Sequence, residues 1–307
     1  MTPTREQRQF AAAIHDLLSN ADTPAVARAW ARGEHEPGLT LWRKLAKLGV
    51  TALAIPEEAD GLGARPLDLV VAFEELGHHA VPGPLIESIV VAPTMLASGI
   101  GYTASIAARG RDGTPEASAL LRQLASGEAI ATVGPLFLDA DIASFVLGGT
   151  PGDLAIGIDR TRRLFPGSSD AAISDAGALA CAAQLLGAGR AMLEMSVEYA
   201  KQRVQFGQPI GRFQAIKHKL ADVFIALEFA RPLLYAAASS YEPRDISAAK
   251  VACSDAAYLA ARAALQVHGA IGYTEEFDLS LWFTKVRDLI PAWGTPAEHR
   301  ARVMAAL

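Results

Sequence analysis

The 307 residues carry 28 lysines and arginines against 33 aspartates and glutamates, and this net charge of −5 lacks the basic excess of a nucleic-acid binder. At 51% hydrophobic and 20% charged, the composition supports a sizeable core and excludes a disordered chain, and the length allows one large domain or two to three modest ones. The two cysteines, Cys181 and Cys253, each lie in an Ala-rich apolar stretch; they exclude a disulfide framework or a Cys-based metal site and make the cytosol the default compartment.

The opening MTPTREQRQF is polar, so no signal peptide is expected. Thr4 followed by Gln7 forms a capping box, and Phe10, Ile14, Leu17 and Leu18 recur at helical spacing, which predicts a first helix. LTLWRKLAKLGV predicts a second helix, after which Pro56, Gly61 and Gly63 break any periodic structure. PLDLVVAFEELGHH predicts a third, ended near Gly77 by a glycine stop. His78 and His79 there, beside Glu74 and Glu75, fit capping charge against the helix dipole, and no site is assigned to them. PLIESIVVAPTMLAS and TPEASALLRQLAS predict further helices, so residues 1–126 form an N-terminal helical domain without a nucleotide loop.

From residue 127 to 168 the texture changes to short β-branched runs, AIATVG, IASFVLGG and LAIGID, which predict strands. A module of about 40 residues is too small for its own core and must lean on the helices around it. The apolar stretch from Ala176 to Leu193 is interrupted by Gln184 and Arg190, which favours a packed helix over a membrane span. Dense Ala and Leu over Leu179–Tyr199, Phe213–Ser240 and Ile246–His268 then predict long antiparallel helices, so residues 169–307 form a C-terminal helical bundle. Lys201–Gly211 and Gly269–Gly272 are its glycine-marked connectors.

Those connectors carry a resemblance. RVQFGQPIGRFQAIKHKLAD at residues 203–222, paired with QVHGAIGYTEEF at 266–277, closely resembles the acyl-CoA dehydrogenase family, and LWRKLAKLGVTALAIPEEADGLG and VVAFEELGHH resemble that family's N-terminal domain in the same order. The resemblance implies a mainly α fold: an N-terminal helical domain, a reduced middle β-module and a C-terminal four-helix bundle. It also implies the cofactor FAD, an oligomer, and oxidation of the Cα–Cβ bond of an acyl-CoA. By the same resemblance, Arg203 and Phe206, with Gln266, Gly269 and Ala270, match positions that hold the ADP side of FAD across a subunit interface. An arginine fork suits diphosphate oxygens and glycine permits close approach, although Ala270 stands where the family normally has a second glycine.

Two departures are larger. The family's usual catalytic Glu, in a Tyr-Glu-Gly-Thr-like loop before the last helix, is here Trp293 in Ala292–Trp293–Gly294–Thr295. The alternative Glu position at the start of the first bundle helix falls on Gly177, with Asp175 two residues off register. Neither position can take a proton, so the reading assigns no catalytic residue to this chain. The middle segment, ATVGPLFLDADIASFVLGG, also lacks the family's flavin-ring motifs.

These features imply a partner subunit of a heteromeric (α2β2) actinobacterial-type acyl-CoA dehydrogenase, inactive alone, whose full-length homologue brings the base and the flavin-ring pocket. Such a heteromer resembles enzymes acting on steroid side-chain CoA thioesters. The alternatives are a scaffold that contacts no cofactor, or a self-sufficient homomer using Asp175 or one of Glu275 and Glu276 as base. Gln214 and His218 lie four apart on one helix but have no further ligands at metal spacing, so they are structural and no metal site is expected.

Overall fold

The computed structural model describes residues 2–98, 116–169 and 174–307, and most of them are helical. Helix α1 (Arg5–Ser19) starts at the expected capping box: the Gln7 amide donates to Thr4 Oγ1 at 3.2 Å and the Thr4 amide to Gln7 Oε1 at 2.8 Å. Helix α2 (Thr23–Ala31) was not anticipated, although Asp22-Thr23-Pro24 is a start signal, with the Asp22 carboxylate accepting from the Ala25 amide at 3.3 Å. Helix α3 (Glu36–Lys47) and helix α4 (Pro66–His78) follow, separated by short 3-10 turns over the proline and glycine breakers.

The third helix ends near Gly77 as expected, but not by a glycine stop. Gly77 is buried and helical, and α4 runs on to His78. A Cβ on Gly77 would overlap the backbone of Gln184, and one on Gly187 would overlap the Glu74 carbonyl. Gly77 and Gly187 therefore let the backbones of α4 and the first bundle helix meet, and termination has nothing to do with it. The dipole-capping reading of His78 and His79 also fails. Burial, together with the neighbouring imidazoles and Arg190, pushes them down to about 3 and about 4, so both are uncharged at neutral pH.

A π-helical turn over Glu87–Val91 leads into α5 (Ala92–Ser98), and α6 (Ala117–Ala125) lies within the predicted TPEASALLRQLAS helix, whose Thr114 and Pro115 fall outside the described residues. The β-module is smaller than expected. Strands β1 (Ala131–Val133) and β2 (Phe145–Leu147) pair in parallel, and β3 (Gly149–Thr150) pairs antiparallel with β4 (Ser168–Ser169). LAIGID forms only an isolated bridge between Ala155 and Leu164, and Ile156 is 93% exposed, with no neighbouring strand among the described residues to receive it.

The module leans on the helices through buried polar groups. Ser88 Oγ accepts from the Ala131 amide at 3.0 Å, and Trp30 Nε1 donates to the buried Asp139 at 2.8 Å. Asp159, fully buried, takes the Thr161 amide and hydroxyl at 2.9 and 2.7 Å and faces Lys285 at 3.8 Å.

The bundle consists of α7 (Asp175–Gln202), α8 (Gln214–Ser240), α9 (Pro243–His268), α10 (Leu279–Leu289) and α11 (Pro296–Ala305), with a two-strand hairpin, β5 (Val204–Gln205) and β6 (Gln208–Pro209), between α7 and α8. Helix α7 lies at the centre against α4, α8 and α9. It is the one described helix long and apolar enough to cross a membrane, yet 89% of its apolar window is buried inside the fold. Cys181 and Cys253 are both free and buried.

Candidate cofactor and acyl-chain sites

The loop after α10 is held from three sides. Lys250, fully buried, donates to the carbonyls of Leu289 at 3.2 Å and Ile290 at 2.8 Å, a cation on a helix C-terminus, and Cys181 Sγ donates to Leu289 at 3.2 Å. Beyond them His299 Nε2 donates to the Trp293 carbonyl at 3.0 Å, which leaves Nδ1 to accept from Ser247 Oγ at 3.1 Å. His299 is buried, and burial lowers its pKa, so the neutral tautomer these contacts require is the one favoured. Trp293 sits here with φ +58, a left-handed conformation that the loop must impose on a bulky residue.

So fixed, the indole lies on Gly177. A Cβ at Gly177 would stand 2.7 and 2.8 Å from Trp293 Cδ2 and Cε3 and 3.1 Å from Val91 Cγ2. The two positions singled out from the sequence as lacking a base therefore touch each other, and the ring fills the space between them. Glu87, from the π-helical turn, is fully buried and hydrogen-bonded by the Trp293 side chain; burial raises its carboxyl above the usual range against the pull of Arg162 and Lys285. Sequence reasoning passed over Glu87, although a single acid inside the apolar run PLIESIVV is a visible signal.

The rival bases lie elsewhere. Asp175 is engaged by Arg302, Nη2 to Oδ1 at 2.7 Å, and Glu275 and Glu276 are exposed in the turn before α10, with the Glu275 carbonyl accepting from Arg28 at 3.1 Å.

This packing predicts that the two positions are energetically coupled. Gly177→Ala should destabilise the chain by about 1–3 kcal/mol through overpacking. In a Trp293→Gly background the same substitution should be close to neutral, because the helix propensity of alanine then opposes only the 3.1 Å approach to Val91 Cγ2. Urea melts of the four proteins read this directly, and equal costs in both backgrounds would show that the two residues do not share the space.

The five residues matched to the ADP side of a flavin lie at one end of the bundle. The last turns of α7 and α9 meet there through Tyr199 and His268, with ring centroids 4.3 Å apart. Arg203 caps α7, is exposed, and among the described residues its guanidinium has no hydrogen bond or ion pair. Phe206 is 93% exposed at the hairpin turn with φ +52, its ring edge-on to Phe213 at 6.2 Å. Gln266 is exposed on the last turn of α9, and Gly269 ends that helix at φ +67, ψ −147, a conformation open essentially to glycine alone. A Cβ there would meet nothing within 4 Å, and Ala270 beside it is exposed.

The chain's own residues thus fit half of a flavin nucleotide. An unpaired arginine, an exposed aromatic ring and an open glycine suit a diphosphate and an adenine arriving from outside. Among the described residues nothing equivalent supports an isoalloxazine ring: the β-module offers strand pairs two or three residues long, and Trp293 fills the space beside Gly177. Gln214 and His218 are exposed on the first turns of α8.

Comparison with known proteins agrees with this architecture. The acyl-CoA dehydrogenase N-terminal domain model matches residues 4–128, and the acyl-CoA dehydrogenase C-terminal domain model matches residues 174–307. The acyl-CoA dehydrogenase IpdE2 of Mycobacterium tuberculosis is 33% identical over 99% of this chain and 98% of its own length. Among solved structures, a variant of the Tcur3481-Tcur3483 steroid ACAD superposes with a TM-score of 0.82 at 21% identity, covering 98% of this chain and 97% of that one. The ChsE4-ChsE5 complex from Mycobacterium tuberculosis gives 0.77 at 21% identity, covering 99% and 97%.

Proposed function

This chain belongs to the acyl-CoA dehydrogenase family, and on that premise we propose that it is the non-catalytic subunit of a heteromeric FAD-dependent acyl-CoA dehydrogenase. A full-length homologue supplies the catalytic Glu and the flavin-ring pocket. The observation that carries this reading is the Trp293 ring packed on Gly177, which removes both base positions and the space for an acyl chain together. In the family's chemistry FAD accepts a hydride from Cβ as a base takes the Cα proton. This chain contributes no acid or base to that step; Arg203, Phe206, Gln266, Gly269 and Ala270 close the partner's site around the diphosphate and adenine.

The surface of α8 supports a partner. One face is buried through Val223, Leu227, Ala230 and Leu234, yet Phe224, Ile225, Phe229 and Leu233 on the other are exposed, Phe229 by 74%. An exposed apolar stripe of this size on a helix otherwise packed in the bundle marks a surface covered in an assembly. Two of the similar structures bear paired names, one a steroid ACAD and the other a complex, which favours an α2β2 arrangement and a bulky steroid-CoA thioester as substrate. The ion pair that holds Asp175 to Arg302 argues against the self-sufficient reading.

Expressed alone and supplied with FAD and an acyl-CoA, the chain is expected to reduce no electron acceptor. Co-expressed with a full-length homologue, it is expected to purify as a yellow, active heteromer. Turnover by the lone chain would overturn the reading.

A further inference from the structure

We propose that His15, Glu75, His78 and His79 form a binding site for a divalent transition-metal ion of the zinc type, clamping α1 to the end of α4. Glu75, His78 and His79 stand at i, i+3 and i+4, on one face of the last turn of α4, and His15 reaches them from α1, which packs across it. One potential ligand atom from each of the four residues lies within 4.8 Å of the others. His15 Nδ1 is 2.9 Å from Glu75 Oε2 and 3.2 Å from His79 Nε2. Bond lengths of about 2.0–2.1 Å to a tetrahedral ion place neighbouring ligand atoms roughly 3.3 Å apart, so these atoms already stand near coordination spacing.

Hydrogen bonding alone serves the group poorly. His15 Nδ1 carries at most one proton, and if that proton goes to Glu75 no lone pair remains for His79. A metal ion accepts all three lone pairs at once. His78 donates through Nε2 to Glu194 Oε2 at 2.9 Å, which leaves Nδ1 as a buried lone pair with no partner among the described residues. The charged neighbours leave room for a cation. Arg190 Nη1 stands 3.5 Å from the other Glu75 oxygen, Oε1, and its charge is shared with Glu74 at 3.5 Å, while Glu75 and Glu194 remain to face the ion. Three imidazoles with one carboxylate suit zinc or a like ion over magnesium or calcium, whose ligands are oxygens.

The test uses the full chain without a histidine tag, in the assembly in which it purifies, stripped with chelator and dialysed against zinc sulfate. Elemental analysis is expected to give about one zinc per chain, and the melting temperature should rise with zinc concentration, as for any ion bound only by the folded state. His15→Ala, at a 43% exposed side chain, and His79→Ala should each lose the zinc and the zinc-dependent rise while the chelated forms still melt cooperatively. The surface variant His218→Ala should keep both. No zinc retained by the parent, or equal zinc in parent and His15→Ala/His79→Ala, would overturn the proposal, and a parallel loss in His218→Ala would mark the metal as an adventitious ion only.

Discussion

Gly187→Val is expected to be the most damaging single substitution outside any binding site. Helices α4 and α7 meet backbone to backbone, with Gly77 over Gln184 and Gly187 over Glu74, and each added side chain would have to displace a main-chain carbonyl. Flexible side chains can yield to overpacking; two helical backbones cannot without moving apart. Separation would also uncover the apolar residues they bury, among them Phe73, Leu76, Leu185 and Leu186, all fully buried. Overpacking alone costs about 1–3 kcal/mol, and with part of this interface reopened a loss of at least about 3 kcal/mol is expected. For a chain of 307 residues that lowers the melting temperature by about 5 °C. A variant melting within about 2 °C of the parent would show that α4 and α7 can repack without this contact.

The long helices were legible because their signals are local. The capping box at Thr4 and Gln7, the Ala/Leu periodicity of α7 to α9 and the two-residue connection between α8 and α9 all lie within one stretch of chain. Gly77 shows where local reading fails: a glycine near a helix end reads as a stop, and only the presence of Gln184 across the interface shows that it serves close packing. The strand expected at LAIGID has the right texture, but among the described residues its pairing is the single bridge to Leu164, and a strand exists only with a partner. Helix α2 was overlooked although its start signal, Asp22 before Thr23-Pro24, was present.

The candidate sites divide in the same way. Trp293 and Gly177 could each be identified from the sequence as departures, but their packing on one another joins segments more than a hundred residues apart in the chain. Glu87 and His299, which hold Trp293 between them, carry no motif. The cluster around Glu75 eluded sequence reasoning because its fourth member, His15, lies 60 residues upstream, and because His78 and His79 were read as charged when burial keeps them neutral.

The cofactor role rests on Arg203. Its guanidinium is exposed and unpaired among the described residues, at the bundle end where Gly269 is open and Phe206 projects, so replacing it costs the chain's own fold nothing that the structure contains. A charge-assisted contact to a diphosphate is worth about 1.5–3 kcal/mol, which corresponds to roughly a 10- to 150-fold loss in FAD affinity. The decisive measurement is the flavin content of the purified heteromer carrying Arg203→Ala beside the parent, from absorbance in the flavin band with subunit stoichiometry from mass determination. The account predicts flavin depleted on dilution while the assembly stays intact. An intact heteromer retaining its full flavin with alanine at position 203 would contradict it.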